Sequence, residues 1–115
     1  MACTLNPPVP LTAAHELDSF RSSNDKLDEW LKRRALANEG RTARTYVVTV
    51  GARVVGYYTL ASGSVARTAL PKRLQRETPD TVPVVVLGRL ATDRDFERRG
   101  IGRAMLREAI ARTIA

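Results

Sequence analysis

Apolar and polar positions change period along this chain, and each change marks an element. Leu27, Trp30, Leu31 and Ala35 recur at helical spacing. Ser22-Ser23-Asn24-Asp25 precedes them as a capping signal, with Asp25, Asp28 and Glu29 in the first turns. Lys26, Lys32 and Arg33 lie largely off the apolar stripe. The pattern predicts an amphipathic helix over 24–38, stopped by Gly40. Tyr46–Val50 and Val54–Leu60 are β-branched and aromatic, with Gly51-Ala52-Arg53 between them, and read as an antiparallel hairpin. Residues 62–81 read as a long connection in which Pro71–Arg76 forms a helical turn. Val82–Ala91 is a continuous apolar run, which predicts a strand buried on both faces at the centre of the sheet. After a charged loop over 92–99, Met105, Leu106, Ala109, Ile110 and Thr113 fall on one face of a second amphipathic helix opened by Gly100-Ile101-Gly102. Residues 1–11, with Pro7, Pro8 and Pro10, read as an edge strand or an extended arm.

The order is strand, helix, three strands, helix: an α/β (α+β) chain with a mostly antiparallel sheet flanked by helices. The 115 residues suit one domain, and no linker or repeat divides them. No apolar run approaches the ~20 residues of a membrane span, and the N-terminus lacks the pattern of a signal peptide. The single cysteine, Cys3, has no partner for an internal disulfide, so a reducing cytoplasm fits and Cys3 is read as incidental. The single His15, read as a surface residue, makes a zinc site or a Ser-His triad hard to build; no metal site is expected. The net charge of +7 changes the picture more. Lys26, Lys32 and Lys72 are the only lysines among nineteen cations; the rest are Arg. Arg holds phosphate through a planar fork, which makes phosphate-bearing partners plausible, although the codon bias of a GC-rich genome yields the same excess.

The informative stretch is Val84 to Leu106: a strand, a loop, then Glu97-Arg98-Arg99-Gly100-Ile101-Gly102-Arg103-Ala104 at a helix start. The first amides of a helix have no internal partners and lie where the macrodipole is positive, so a phosphate there accepts several N–H bonds. Glycine lets the backbone approach the ligand, and Arg98, Arg99 and Arg103 add charge-assisted bonds. This is a candidate pyrophosphate cradle. G-x-G alone is more often a turn. The G-x-G-x-x-G fingerprint fails at Met105, and the Walker pattern is absent. An Arg-rich RNA-binding module without an acyl donor is a competing reading.

Leu87-Gly88-Arg89-Leu90-Ala91-Thr92-Asp93 followed by Arg98–Leu106 resembles the coenzyme A motif of the GNAT superfamily of N-acetyltransferases. Leu27–Leu31, Arg33–Leu36, Arg44–Val48, Val54–Tyr58 and Val82–Leu90 extend the resemblance to the acetyltransferase toxins of type II toxin–antitoxin systems, over nearly the whole chain. The resemblance implies a GNAT fold in which acetyl-CoA, the co-substrate, pairs along the backbone of Leu90, Ala91 and Thr92. Its pyrophosphate would be held by the amides of Arg98, Arg99, Gly100, Ile101, Gly102 and Arg103. Glu97 stands where the family motif carries Gln or Arg. The implied reaction is direct attack of the amino group of an aminoacyl-tRNA on the thioester, which blocks translation.

The resemblance assigns the acid to a tyrosine after a fifth strand, and both are expected to lie beyond Ala115. Tyr46, Tyr57 and Tyr58 do not match it, so the catalytic residue is unknown. The chain thus reads as a C-terminally truncated toxin domain, with a non-catalytic fragment that binds CoA, antitoxin or RNA as the alternative. Lys32, Arg33, Arg34, Arg41, Arg44 and Arg89 are the candidate contacts to tRNA phosphates. Arg89 reads as an anchor for substrate or antitoxin or as half of a structural ion pair, and Trp30 reads as core. The resemblance also implies a ribbon-helix-helix antitoxin and a homodimer. A fourth strand lacking its neighbour would expose an unpaired edge and favour association.

Overall fold

The computed structural model describes residues 4–114; Cys3 lies outside them. Strand β1 (Asn6–Pro10) is followed by α1 (Asp25–Trp30), a π-helical segment (Leu31–Ala35) and α2 (Leu36–Asn38). Strands β2 (Arg44–Val50) and β3 (Arg53–Ala66) come next, then α3 (Lys72–Gln75), β4 (Thr81–Thr92) and α4 (Ile101–Ile114). The sheet has the order β1-β2-β3-β4, with every pairing antiparallel.

Local chemistry sets the helix boundaries. The Asn24 side chain accepts from the amides of Lys26 (3.0 Å) and Leu27 (3.2 Å), closing the N-terminus of α1. The helical stretch ends at Asn38, and Gly40 takes φ +80°, the left-handed region that glycine tolerates best. The π segment widens the turn that carries Lys32, Arg33 and Arg34.

The sheet is covered on both faces, and its doubly buried strands are β2 and β3. Val47, Val54 and Tyr57 join Leu31, Ala35 and Phe20 on the α1 side. Val48, Val55 and Tyr58 join Ile101, Met105 and Ala109 on the α4 side. Adjacent residues thus feed opposite clusters, as the two-residue period of a strand requires.

The expected central, doubly buried position of β4 is wrong. β4 lies at the edge, with Val85 and Val86 46% exposed and Leu87 38%. A continuous apolar run is equally compatible with a strand that has only one neighbour; which strands pair is decided far away in sequence. Residues 62–66, expected within the connection, instead extend β3, because Ser62–Ala66 pair with Thr81–Val85. Pairing there overrides the weak strand preference of Ala, Ser and Gly. The helical turn expected over Pro71–Arg76 is present as α3.

One irregularity in β4 matters for the site. Thr59 pairs with Arg89 but Leu60 pairs with Leu87, so Gly88 is a bulged extra residue. The bulge turns Leu87 toward α4, where it lines a groove with Leu106 and Ile110. Arg89 faces α1 instead, where its guanidinium meets Trp30.

Candidate functional site

β4 ends at Thr92, and the chain is turned by a buried carboxylate. Asp93 is 1% exposed and accepts from the amides of Arg21 (3.0 Å) and Asp95 (2.9 Å) and from Arg53 Nη2 (3.4 Å). Its own amide donates to the Val55 carbonyl at 2.8 Å. Arg94 adds a second tie: its amide donates to the Arg21 carbonyl (2.8 Å) and its Nε to the Ser22 carbonyl (3.1 Å). The loop before α1 and the loop after β4 are therefore stapled together. The sequence marks Asp93 only as the end of the Leu87–Asp93 stretch; the signal for its role as a turn former was an Asp two residues before another turn residue, the pattern of an Asx turn.

After a 3-10 turn (Arg94–Phe96), Arg98 and Gly100 take φ +64° and +78°. Such a φ is uncommon for a residue with a β-carbon, as Arg98 has. The Gly100 carbonyl accepts from the Ala104 amide at 2.9 Å, so the amides of Ile101, Gly102 and Arg103 form the open first turn of α4. Gly100 has no side chain to cap them. Thr92, Glu97, Arg98, Gly100, Gly102 and Arg103 line a cleft of about 490 Å³ at this helix start. A β-carbon at Gly100 would meet nothing within 4 Å, and one at Gly102 would lie 3.8 Å from Thr92 Oγ1.

The structure thus brings together most of the expected cradle, and it fits an anionic group. One expected side chain, that of Arg99, turns away from the cleft. Arg99 is drawn to Phe96, its guanidinium 4.9 Å from the ring centroid. The Ile101 side chain is buried in the α4 cluster, leaving its amide at the helix start. Ala91 is buried toward α1 and Leu90 packs toward α4, so of this strand only Thr92 lines the cleft. Among the described strands none pairs with the outer edge of β4.

The basic residues form a second surface. Arg33, Arg34 and Arg41 line a groove of about 420 Å³ beside Asn38. Arg41 and Arg44 line another, of about 550 Å³, against Tyr46, Ser62 and Val85. Arg41 belongs to both grooves and joins the helix to the sheet. Arg33 also meets Glu29 at 3.7 Å, an exposed pair of little energetic weight. Lys32 lines an adjoining depression with Arg21, Arg33 and the acids Asp25, Asp28 and Glu29.

Arg89 is separate again. Its guanidinium carbon lies 3.7 Å from the centroid of the Trp30 ring, and it forms no ion pair among the described residues. The structural ion pair is therefore the wrong alternative for Arg89. Trp30 packs on the core as expected, nearly parallel to Tyr57 at 6.1 Å and 11°.

All three tyrosines are engaged. Tyr57 donates to the Leu27 carbonyl at 2.6 Å, and burial pushes its pKa well above the ordinary value. Burial also raises that of Tyr58, whose hydroxyl accepts from Arg112 Nε at 3.0 Å. Tyr46 stacks on Tyr58 at 5.2 Å, with the Arg112 guanidinium 4.1 Å over its ring. His15 Nδ1 accepts from the Thr12 amide at 3.0 Å in a turn. Among the described residues there is no metal-binding cluster of His, Cys, Asp or Glu, and no helix is long and apolar enough to cross a membrane.

A tRNA-acetylating toxin of Mycobacterium tuberculosis (strain ATCC 25618 / H37Rv) is 45% identical over 108 residues, covering 93% of this chain and 65% of that protein. AtaT complexed with acetyl-methionyl-tRNAfMet superposes with a TM-score of 0.85 at 30% identity, covering 94% of this chain and 68% of that one. A mutant AtaT toxin bound to the C-terminus of the antitoxin AtaR and acetyl-CoA gives a TM-score of 0.80 at 26% identity, covering 96% and 65%. The chain therefore spans about two thirds of the length of these relatives. The sequence profile of the acetyltransferase (GNAT) family matches residues 11–114. With the strand, the open helix start and this match together, the chain belongs to the acetyltransferase (GNAT) family.

Proposed function

We propose that the chain acts as an acetyl-CoA-dependent N-acetyltransferase toxin that acetylates the amino group of aminoacyl-tRNA and so blocks translation. The observation that carries this is the open first turn of α4, placed one loop after β4, whose outer edge pairs with none of the described strands. The amides of Ile101, Gly102 and Arg103, with the side chains of Arg98 and Arg103, would hold a pyrophosphate. The free edge at Leu90, Ala91 and Thr92 would take an extended amide chain as an added strand. When bound, acetyl-CoA supplies the activated acetyl group. This chain's part is to hold the donor along β4 and to bring the RNA to it. The names of the relatives, a tRNA-acetylating toxin and AtaT with an acetylated tRNA, support an aminoacyl-tRNA acceptor. The groove pair joined by Arg41 supplies the cations for its phosphates.

The partners follow the same reading: a ribbon-helix-helix antitoxin that masks the cleft, and a second copy of this chain as a homodimer, in the cytoplasm. The complex of AtaT with AtaR supports the antitoxin. A binding-only role is the second reading, favoured by the engagement of the hydroxyls of Tyr57 and Tyr58. Acetyl transfer from labelled acetyl-CoA to charged tRNA decides between them. Transfer that falls with Arg41→Gln supports the enzyme. CoA binding by folded protein without transfer supports the binding role. Absence of CoA binding overturns both and favours a purely RNA-binding module.

A further inference from the structure

Arg89 is a half-buried cation on an edge strand, with no carboxylate partner among the described residues. Removing a cation from water without a counter-ion is costly. Here the Trp30 ring compensates in part, with the guanidinium 3.7 Å from its centroid. The arrangement has two structural supports. The bulge at Gly88 sends Arg89 to the α1 face. Trp30, the last residue of α1, immediately precedes the π segment that carries Lys32, Arg33 and Arg34. The stack therefore ties the basic helix to β4 one residue before Leu90–Thr92, the edge assigned to the acyl donor.

We propose that Trp30 is a positioning residue of the nucleic-acid site: its ring holds the Arg89 guanidinium ready for a phosphodiester of the acceptor strand. The inference rests on the reading that this chain binds tRNA. A guanidinium already fixed in orientation loses less rotamer freedom when its planar fork meets a phosphate. Trp30 supplies that preorganisation without touching the RNA. Its near-parallel contact with Tyr57 limits how far the ring can turn.

Trp30 is the chain's single tryptophan, so its emission reports on the stack. The test titrates the full chain with deacylated tRNA at several salt concentrations, following Trp emission and binding, and titrates CoA in parallel. Wild type is expected to show a saturable change in emission. Arg89→Gln is expected to bind tRNA about tenfold more weakly, to reduce the slope of log K against log salt by about one, and to lose the emission change. Trp30→Leu is expected to weaken tRNA binding about fivefold with an unchanged slope, because the charge remains while its orientation is lost. Trp30→Phe restores most of that affinity. In the Arg89→Gln background, Trp30→Leu adds nothing, and CoA binding is unaltered throughout. Equal weakening by Trp30→Leu in both backgrounds, or none in wild type, overturns the proposal. Wild type that binds CoA but not tRNA overturns the tRNA reading itself, and this inference with it.

Discussion

Gly56 of β3 lies directly beneath Met105 of α4: a β-carbon on Gly56 would come within 3.2 Å of both Sδ and Cε of Met105, and within 3.1 Å of Ile101 Cγ2. The missing side chain lets α4 settle onto the sheet at its first turns. Because the open amides belong to those turns, the depth at which α4 docks on β3 sets where the cradle stands relative to Thr92.

Gly56→Val tests that coupling. A branched side chain in a filled space forces α4 outward and is expected to cost about 1–3 kcal/mol of stability. Thermal unfolding measures the loss, and CoA affinity measured below the transition should fall as well. Unchanged affinity in a destabilised variant would show that the cradle tolerates displacement of its helix.

Gly102→Asp separates the cradle from the fold. There is room for the β-carbon, 3.8 Å from Thr92 Oγ1. An acid in the first turn of a helix is favourable by about 0.3–1 kcal/mol, so stability should hold or rise. The same carboxylate opposes a bound pyrophosphate, and at an effective dielectric of about 20 the repulsion is worth at least a tenfold loss of CoA affinity. Calorimetric titration and a melting curve should move in opposite directions. Retained CoA affinity would place the pyrophosphate elsewhere.

Asp93→Asn probes the staple between the two loops. The amide puts an N–H donor where one carboxylate oxygen faced another donor, either the Arg21 amide or the Asp95 amide with Arg53. A loss of about 2–4 kcal/mol is expected for a group this buried, read by denaturant unfolding. A loss under half a kcal/mol would mean that the Arg94 contacts alone carry the staple.

Tyr57 is expected to contribute to the alkaline limb of stability. Burial raises its pKa in the folded state, so the unfolded chain gives up its phenolic proton first. The stabilisation is complete below the ordinary tyrosine value near 10 and is lost as pH climbs from there toward the raised folded value. Tyr57→Phe should flatten that decline. At neutral pH it should cost only about 1 kcal/mol, because the Leu27 carbonyl still accepts from the Leu31 amide. An unchanged alkaline slope would assign the decline to Tyr58 or to other groups.

Legibility differed from element to element for identifiable reasons. The α1 start was readable because Asn24 caps amides only two and three residues ahead. The β2–β3 hairpin was readable because its turn and alternation are local. The cradle was readable as far as the glycines and the helix start. Its details were not: Arg99 leaves for Phe96, and the Arg98 backbone takes a conformation that residue type does not announce. Arg89 could not be resolved between ligand and ion pair, because its partner, Trp30, is 59 positions away.

By itself, the sequence determined what nearest neighbours control: the caps, the turns, the helical and strand periods, and an Arg-rich helix start able to take an anion. Those depend on interactions within a few residues. Tertiary structure decided which apolar run is central, placing β2 and β3 there and β4 at the edge, because a strand's burial depends on who pairs with it. It also gathered Arg33, Arg34, Arg41 and Arg44 onto neighbouring grooves, and left Arg89 to a ring instead of a carboxylate. Charge is additive along a chain, but its use depends on distance in space, which only the packed sheet and helices supply.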